Sequence, residues 1–135
     1  MKRLLGFLVL AAATFGIITL VALEGGEVVV LETQTPDGTV RRTRTWVAED
    51  AGSLWIEAAN PERPFLVDLR RKPECLLVRG GTRLVCVATV LPPADGHTHV
   101  RQLLAARYGW ADRWIGLLAD TSRSAAVRFT CETRS

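Results

Sequence analysis

CLLVRGGTRLVCVATV, residues 75–90, predicts a β-hairpin, because two runs rich in Val and Leu flank a Gly-Gly pair. The two central glycines supply the positive φ angles that a two-residue hairpin loop requires. With this loop, counting back along both strands places Cys75 directly opposite Cys86. The pair leaves two alternatives open, a cross-strand disulfide or two small buried apolar side chains, and Cys131 has no evident partner.

The segments on either side of this hairpin predict four further strands and three helical stretches. Runs dense in β-branched residues, bounded by turn residues, predict strands at 27–33, 41–49, 53–58 and 125–132. Helical spacing of apolar residues predicts a short helix at 65–72 and a helical pair at 100–118. Strands linked by hairpins and interrupted by helices are typical of an antiparallel barrel or sandwich. We therefore predict a mainly β fold of six strands with helical excursions.

An uncharged N-terminal run, Leu4–Leu23, predicts one membrane-spanning helix. At about 1.5 Å per residue, about 20 helical residues match the hydrocarbon core of a bilayer, which is about 30 Å thick. A signal peptide is the alternative, although Leu-Val-Ala at 20–22 is a poor cleavage site. We expect an anchor or uncleaved signal at 1–23, touching membrane lipid through 4–23, and one domain at 27–132.

The basic residues around this helix predict its orientation. Lys2 and Arg3 precede the apolar run, and no further basic residue follows until Arg41. Because positive charge is retained on the cytoplasmic side, we expect a single-pass protein with a cytoplasmic N-terminus and the domain outside the cytoplasm. The arginines near residue 41 favour the opposite orientation, which stays open as an alternative.

Charge and motif content exclude several classes of function. From Glu24 onward, 15 basic and 14 acidic residues leave a net charge of +1, so the domain has no general nucleic-acid-binding surface. The only histidines, His97 and His99, are predicted in an exposed Gly-rich loop with no cluster of carboxylates or cysteines nearby, so we assign no metal site. No nucleophile motif and no phosphate-binding glycine loop with Lys occurs. Any enzymatic chemistry would therefore rest on a cofactor.

The strand at 41–45, Arg-Arg-Thr-Arg-Thr, is the most unusual local feature of the sequence. Guanidinium groups offer fixed pairs of donors that suit phosphate or carboxylate, so the strand could bind an anion. Charged residues also keep exposed strands soluble, and this second interpretation stays open.

The order of several short motifs resembles the deazaflavin-dependent nitroreductase family, over roughly residues 27–132. The motifs are EVVVLET at 27–33, a Gly turn, Arg41-Arg-Thr, Trp46, Glu49-Asp50, Leu54-Trp55, Leu69-Arg-x-x-Pro73 and the Gly-Gly hairpin. This resemblance implies a split β-barrel, as in flavin reductases and pyridoxamine-phosphate oxidases, and often a homodimer. It further implies an oxidoreductase that uses deazaflavin or FMN to reduce a quinone, a nitro compound or a similar small-molecule acceptor.

The same resemblance implies a set of cofactor-binding residues, while no catalytic residue can be assigned. The expected cofactor-binding residues are Arg41, Arg42, Arg44, Trp46, Ala58, Ala59 and Asn60. The chain departs from the family at the turn 35–39, where Thr-Pro-Asp-Gly-Thr replaces the usual Gly-x-Lys-Ser-Gly phosphate grip. This departure motivates a second hypothesis, a non-catalytic split-barrel module that has lost cofactor binding.

Overall fold

The computed structural model describes residues 1–132, which form four helices and seven strands. The helices are α1 (Lys2–Glu24), α2 (Pro64–Arg71), α3 (Pro93–Tyr108) and α4 (Trp110–Leu118). The strands are β1 (Val28–Gln34), β2 (Val40–Trp46), β3 (Ala48–Asp50), β4 (Ser53–Ala58), β5 (Glu74–Arg79), β6 (Thr82–Leu91) and β7 (Ala125–Cys131). The predicted strands and helical stretches all appear, with most bounds shifted by one or two residues and with α3 beginning seven residues earlier than predicted.

The strands form one antiparallel sheet in the order β2-β1-β5-β6-β7-β4-β3. Its edge strands, β2 and β3, are joined in the chain by a single residue, Val47. The sheet must therefore curl until its two edges meet, which makes a barrel. The predicted mainly β split barrel with helical excursions is confirmed, although the predicted strand 41–49 is divided into two.

The division at Val47 has a specific cause in the hydroxyl group of Tyr108, at the end of α3. This oxygen accepts a hydrogen bond from the Val47 N–H at 3.1 Å and lies within 2.9 Å of the Val47 carbonyl oxygen. It also lies 2.7 Å from the Glu27 carbonyl oxygen. Since Val47 is fully buried and its backbone bonds to a side chain instead of a strand, the ladder stops there.

The predicted hairpin is confirmed as β5–β6, with Gly80 and Gly81 both at positive φ and Cys75 opposite Cys86. The expectation that Cys131 lacks a partner is wrong. Strand β7 pairs with the other side of β6, Cys131 lies opposite Cys86, and these two residues form a disulfide. Cys75 is a buried free thiol, so the Cys75–Cys86 disulfide does not form.

Two apolar clusters stabilise the domain on the two sides of the barrel wall. The interior cluster is built from fully buried side chains of several strands and of α2, including Val29, Leu31, Ile56, Leu66, Leu77, Val127 and Phe129. The second cluster lies outside the wall, under α3 and α4, and includes Ala22, Ala48, Val100, Leu104, Tyr108 and Ala126. Burying a Leu, Ile or Phe side chain contributes about 1.5–3 kcal/mol, so both clusters hold the helices against the sheet.

Helix α1 is long and apolar enough to cross a membrane, judged by length and composition, and its apolar core is not covered by the rest of the domain. Its last turns nevertheless touch the domain. The Trp114 Nε1 donates to Thr19 Oγ1 at 3.0 Å, and the rings of Phe15 and Trp114 lie 5.5 Å apart. Helix α4 is therefore the part of the domain that packs on α1.

The histidines are not in a loop, contrary to the sequence-based expectation. Pro93 starts α3 early, since proline suits the first helical position, and both histidines therefore lie on this helix. His97 Nδ1 lies 2.6 Å from Ser124 Oγ, and His99 Nε2 lies 3.0 Å from Asp50 Oδ2. No group of three or more potential metal ligands occurs within residues 1–132.

Candidate functional site

A cavity of about 650 Å³ opens beside β2, between the end of α1, the start of α2, and helices α3 and α4. We call it the β2 cavity. Its charged lining consists of Arg41, Arg42, Arg44, Arg63, Arg101, Glu24, Glu57 and Asp112. Its apolar lining includes Leu23, Val28, Trp46, Phe65, Leu104 and Ile115. Ligand sites of about 300–1,000 Å³ with apolar walls and a few polar groups are typical of cofactor-binding proteins.

The two outer arginines of β2 lie at the rim of the cavity and keep most of their surface in solvent. Arg42 Nε is 3.5 Å from Glu32 Oε1, and Arg44 Nη2 donates to Glu24 Oε2 at 2.5 Å. About two-thirds of each side chain is exposed, 66% for Arg42 and 62% for Arg44. Each guanidinium therefore still has donors that could meet an anionic group.

Arg41 has a different environment, although it lines the same cavity. Its Nε donates to Asp68 Oδ2 at 2.8 Å, and Thr33 Oγ1 donates to the same oxygen at 2.8 Å. Asp68 is only 1% exposed, so Arg41 is the charge that compensates a buried carboxylate. This contact fixes Arg41 against α2 and limits it to a partial role in binding a ligand.

Arg101 on α3 is a cavity residue that sequence reasoning missed. Its Nη1 donates to Glu57 Oε1 at 2.7 Å, and its Nη2 lies 2.7 and 2.6 Å from the two Asp112 carboxylate oxygens. Burial alone would lower the pKa of Arg101, but the hydrogen bond to Asp112 and the two negative charges outweigh burial and raise it. The result is a rigid ion triad that joins α3, α4 and β4 in the cavity wall.

Trp46 connects the cavity to the end of α1. Its ring stacks on Tyr108 at a centroid distance of 4.4 Å, and its Nε1 donates to the Leu23 carbonyl oxygen at 3.1 Å. The ring is thus held by two elements, α3 through Tyr108 and the end of α1 through Leu23. Its position offers a preorganised apolar surface for a planar ligand.

The remaining predicted site residues are divided between the cavity and the fold. Ala59 lines the β2 cavity, as do Arg41, Arg42, Arg44 and Trp46. Ala58 belongs to the barrel core, and Asn60 Oδ1 accepts a hydrogen bond from the Glu62 N–H in the turn before α2. The structure thus brings five of the seven predicted residues to the cavity lining.

The turn at residues 35–39 is closed by its own hydrogen bonds. Asp37 Oδ1 accepts from the Thr39 N–H at 3.1 Å and from Thr39 Oγ1 at 2.8 Å, and the Thr35 hydroxyl donates to it as well. Hydrogen bonds with Thr35 and Thr39 lower the pKa of Asp37 to about 2. The turn therefore presents an ionised carboxylate at neutral pH, and the Thr35 and Thr39 hydroxyls and the Thr39 N–H already donate to that carboxylate.

Solved structures similar to this chain share its fold at low sequence identity. A conserved hypothetical protein of Mycobacterium tuberculosis has a TM-score of 0.59 and 20% identity, covering 87% of this chain and 79% of its own. An F420 reductase has a TM-score of 0.58 and 18% identity, covering 83% and 91%. The heme storage protein of Vibrio cholerae has a TM-score of 0.56 and 12% identity, covering 84% and 87%.

At the level of sequence, no protein-family model and no curated protein matches the chain. The structural neighbours include an F420 reductase and a heme storage protein, so the fold is compatible with more than one ligand. The chain has the split β-barrel fold of these proteins.

Proposed function

We propose that the protein is a membrane-anchored oxidoreductase that uses deazaflavin or FMN, bound in the β2 cavity, to reduce a quinone, a nitro compound or a similar acceptor. The observation that carries the proposal is the convergence of exposed arginines and the stacked Trp46 on one cavity of about 650 Å³. The F420 reductase among the structures of the same fold supports it.

The chemistry of the lining fits such a cofactor. Arg42 and Arg44 at the rim would meet its phosphate, because guanidinium pairs bind phosphate oxygens through two donors. Trp46, Leu104 and Ile115 would cover the planar ring with apolar surface. Five arginines and three carboxylates line the cavity, which leaves a net charge of +2 for an anionic ligand.

The bound cofactor would supply hydride transfer, and the residues of the cavity would orient the cofactor and exclude water from it. Helix α1 ends at the cavity, where Leu23 and Glu24 form part of the lining. An apolar acceptor dissolved in the bilayer would therefore be close to the cavity mouth. Trp46, held by Tyr108 and by the Leu23 carbonyl, would keep water from one side of the ring.

The test is cofactor binding to the full chain purified in detergent from a host that makes both FMN and deazaflavin. We expect a co-purifying chromophore near stoichiometry, seen by absorption and fluorescence, and we expect the cofactor to raise the melting temperature. A spectrum of tryptophan alone, unchanged by millimolar FMN or deazaflavin, would overturn the proposal.

A matched pair of variants tests the roles of the arginines. Arg42→Gln with Arg44→Gln removes two rim charges. A charged hydrogen bond contributes about 1.5–3 kcal/mol, so we expect an affinity loss of about 10- to 150-fold for each phosphate hydrogen bond lost. Arg83→Gln with Arg128→Gln removes two charges outside the cavity, and Arg83 pairs with the same Glu32 as Arg42. Equal affinity losses in both pairs would show that the rim arginines act only through net charge.

A non-catalytic binding module is the second candidate function. Two observations favour it. The turn at residues 35–39 is closed by a hydrogen bond to Asp37, and both Arg41 and Arg101 donate hydrogen bonds to carboxylates of the protein itself. On this alternative the β2 cavity binds a small apolar or acidic molecule without redox chemistry. Absence of cofactor binding, with the cavity still accepting a fluorescent apolar probe, would favour this module.

We also propose that residues 1–23 anchor the protein and that the domain 27–132 lies outside the cytoplasm. The Cys86–Cys131 disulfide supports this orientation, since disulfides persist in oxidising compartments. Protease protection in sealed membrane vesicles tests it, because digestion of the domain from the cytoplasmic side would contradict it. The homodimer implied by the family resemblance stays a prediction, which light scattering in detergent tests.

A further inference from the structure

The outward face of α4 is apolar, which is unusual for a helix on the surface of a small domain. Trp110 is 52% exposed, Leu117 is 82% exposed and Leu118 is 49% exposed. With Trp114 they fall at i, i+4, i+7 and i+8, which is one stripe of a helix. Large apolar side chains gathered in this way on a surface are typical of contact with a protein or a membrane.

The opposite face of α4 is firmly attached to the domain. Ala111 and Asp112 are buried, and the Asp112 carboxylate holds Arg101 of α3. Helix α4 therefore cannot turn its apolar stripe inward without breaking a buried ion pair. The exposed stripe is a fixed property of the folded domain.

The position of α4 along α1 indicates what covers this stripe. Trp114 contacts both Thr19 and Phe15, which lie four and eight residues before the end of the uncharged run at Leu23. At about 1.5 Å per residue, these contacts lie about 6 and about 12 Å inside the end of that run. If the run crosses the hydrocarbon core, Trp114 lies below the membrane surface.

We propose that α4 is a second membrane-contacting element, lying in the headgroup–acyl boundary of the leaflet through which α1 leaves the bilayer. The occupant of the stripe Trp110–Leu118 is lipid, because the stripe is continuous with the apolar surface of α1 through Trp114. Interfacial helices bury an apolar face by about 5–10 Å, which lies close to the depths of about 6 and about 12 Å estimated for the two Trp114 contacts. Tryptophan is enriched at this boundary, and Arg113 beside the stripe can extend its charged end toward the headgroups.

This arrangement fixes the distance of the domain from the bilayer. It holds the β2 cavity at the membrane surface, because Ile115 and Gly116 of α4 and Leu23 of α1 all line it. The proposal rests on the proposed membrane anchoring of α1, and the experiment separates the two.

The test is the depth of nitroxide labels on the full chain in phosphatidylcholine vesicles, measured by spin-label relaxation with oxygen and with a water-soluble nickel chelate. Three single variants are compared: Leu117→Cys on α4, Val87→Cys on the outer face of β6, and Leu8→Cys in α1. Each replaced residue is exposed, and Cys75 does not compete for the label because its thiol is buried.

We expect oxygen to relax the labels at 117 and 8 more than the chelate does, and the reverse at 87. Chelate access at 117 equal to that at 87, with the label at 8 in the bilayer, would overturn the immersion of α4 and leave the anchor intact. Chelate access at all three positions would overturn the anchor together with this proposal.

Discussion

Replacing Tyr108 by Phe isolates the group that divides β2 from β3. The substitution keeps the ring and its stacking on Trp46. It removes the hydroxyl that accepts a hydrogen bond from the Val47 N–H and lies near the carbonyl oxygens of Glu27 and Val47. Val47 is fully buried, so its N–H would lose its partner without gaining water. An unsatisfied buried donor costs about 1–3 kcal/mol, so we expect a loss of about 2 kcal/mol in the free energy of unfolding. In a domain of about 100 residues this lowers Tm by about 8 °C.

The measurement is urea unfolding of the full chain in detergent, followed by circular dichroism. Thr89→Val is the control, because it removes an exposed hydroxyl on β6 and should change the unfolding free energy by less than about 0.5 kcal/mol. Equal stability of the Tyr108→Phe variant and the wild type would refute the idea that this hydroxyl holds the barrel corner.

The same variant has a signature in the alkaline range. Burial, the largest cause, raises the pKa of Tyr108 above its ordinary value of 10.0. The folded state thus binds the phenol proton more tightly than the unfolded chain, and the resulting stabilisation is complete below about pH 10 and lost as pH rises through the folded pKa. The wild type should therefore lose stability above pH 10 more steeply than the Phe variant, and parallel curves would contradict this assignment.

Two further predictions concern the same domain. Gly26→Ala places a Cβ 2.5 Å from the Tyr108 ring, which Trp46 holds in place, so we expect the free energy of unfolding in urea to fall by about 1–3 kcal/mol. The control Gly116→Ala adds a Cβ in open space and should not destabilise the domain, and equal effects of the two variants would contradict the prediction. Reduction of the Cys86–Cys131 disulfide, whose cysteines are 45 residues apart, should lower the unfolding free energy by about 3–4 kcal/mol, and unchanged unfolding in reductant would show that the bond is not formed.

The elements that the sequence predicted best are those specified by neighbouring residues. The hairpin β5–β6 is determined by its Gly-Gly loop, so even the Cys75–Cys86 register could be counted. The partner of Cys131 could not be predicted in this way, because it depends on the pairing of β6 with a strand about 40 residues further along the chain. Nothing within either strand specifies that pairing.

The site follows the same division between local and distant information. Arg42, Arg44 and Trp46 were predicted together from the family resemblance, and because they lie on one strand the structure places all three at one cavity. Arg101 was missed because its two carboxylate partners come from β4 and α4. The sequence offered one usable signal, a charged residue between the apolar positions Val100 and Leu104 of α3.

The place of β7 in the sheet has a consequence for how the chain folds. Among the strands of residues 1–132, β7 lies between β6 and β4 and joins β4 and β3 to the rest of the sheet. During synthesis β3 and β4 therefore stay without their main partner until β7, at Ala125–Cys131, has emerged. Pairings of long sequence separation form slowly, so we expect the barrel to close after the local hairpins have formed. Until then the buried faces of β4 stay exposed, and this is the stage at which a chaperone or a second copy could bind the unfinished domain.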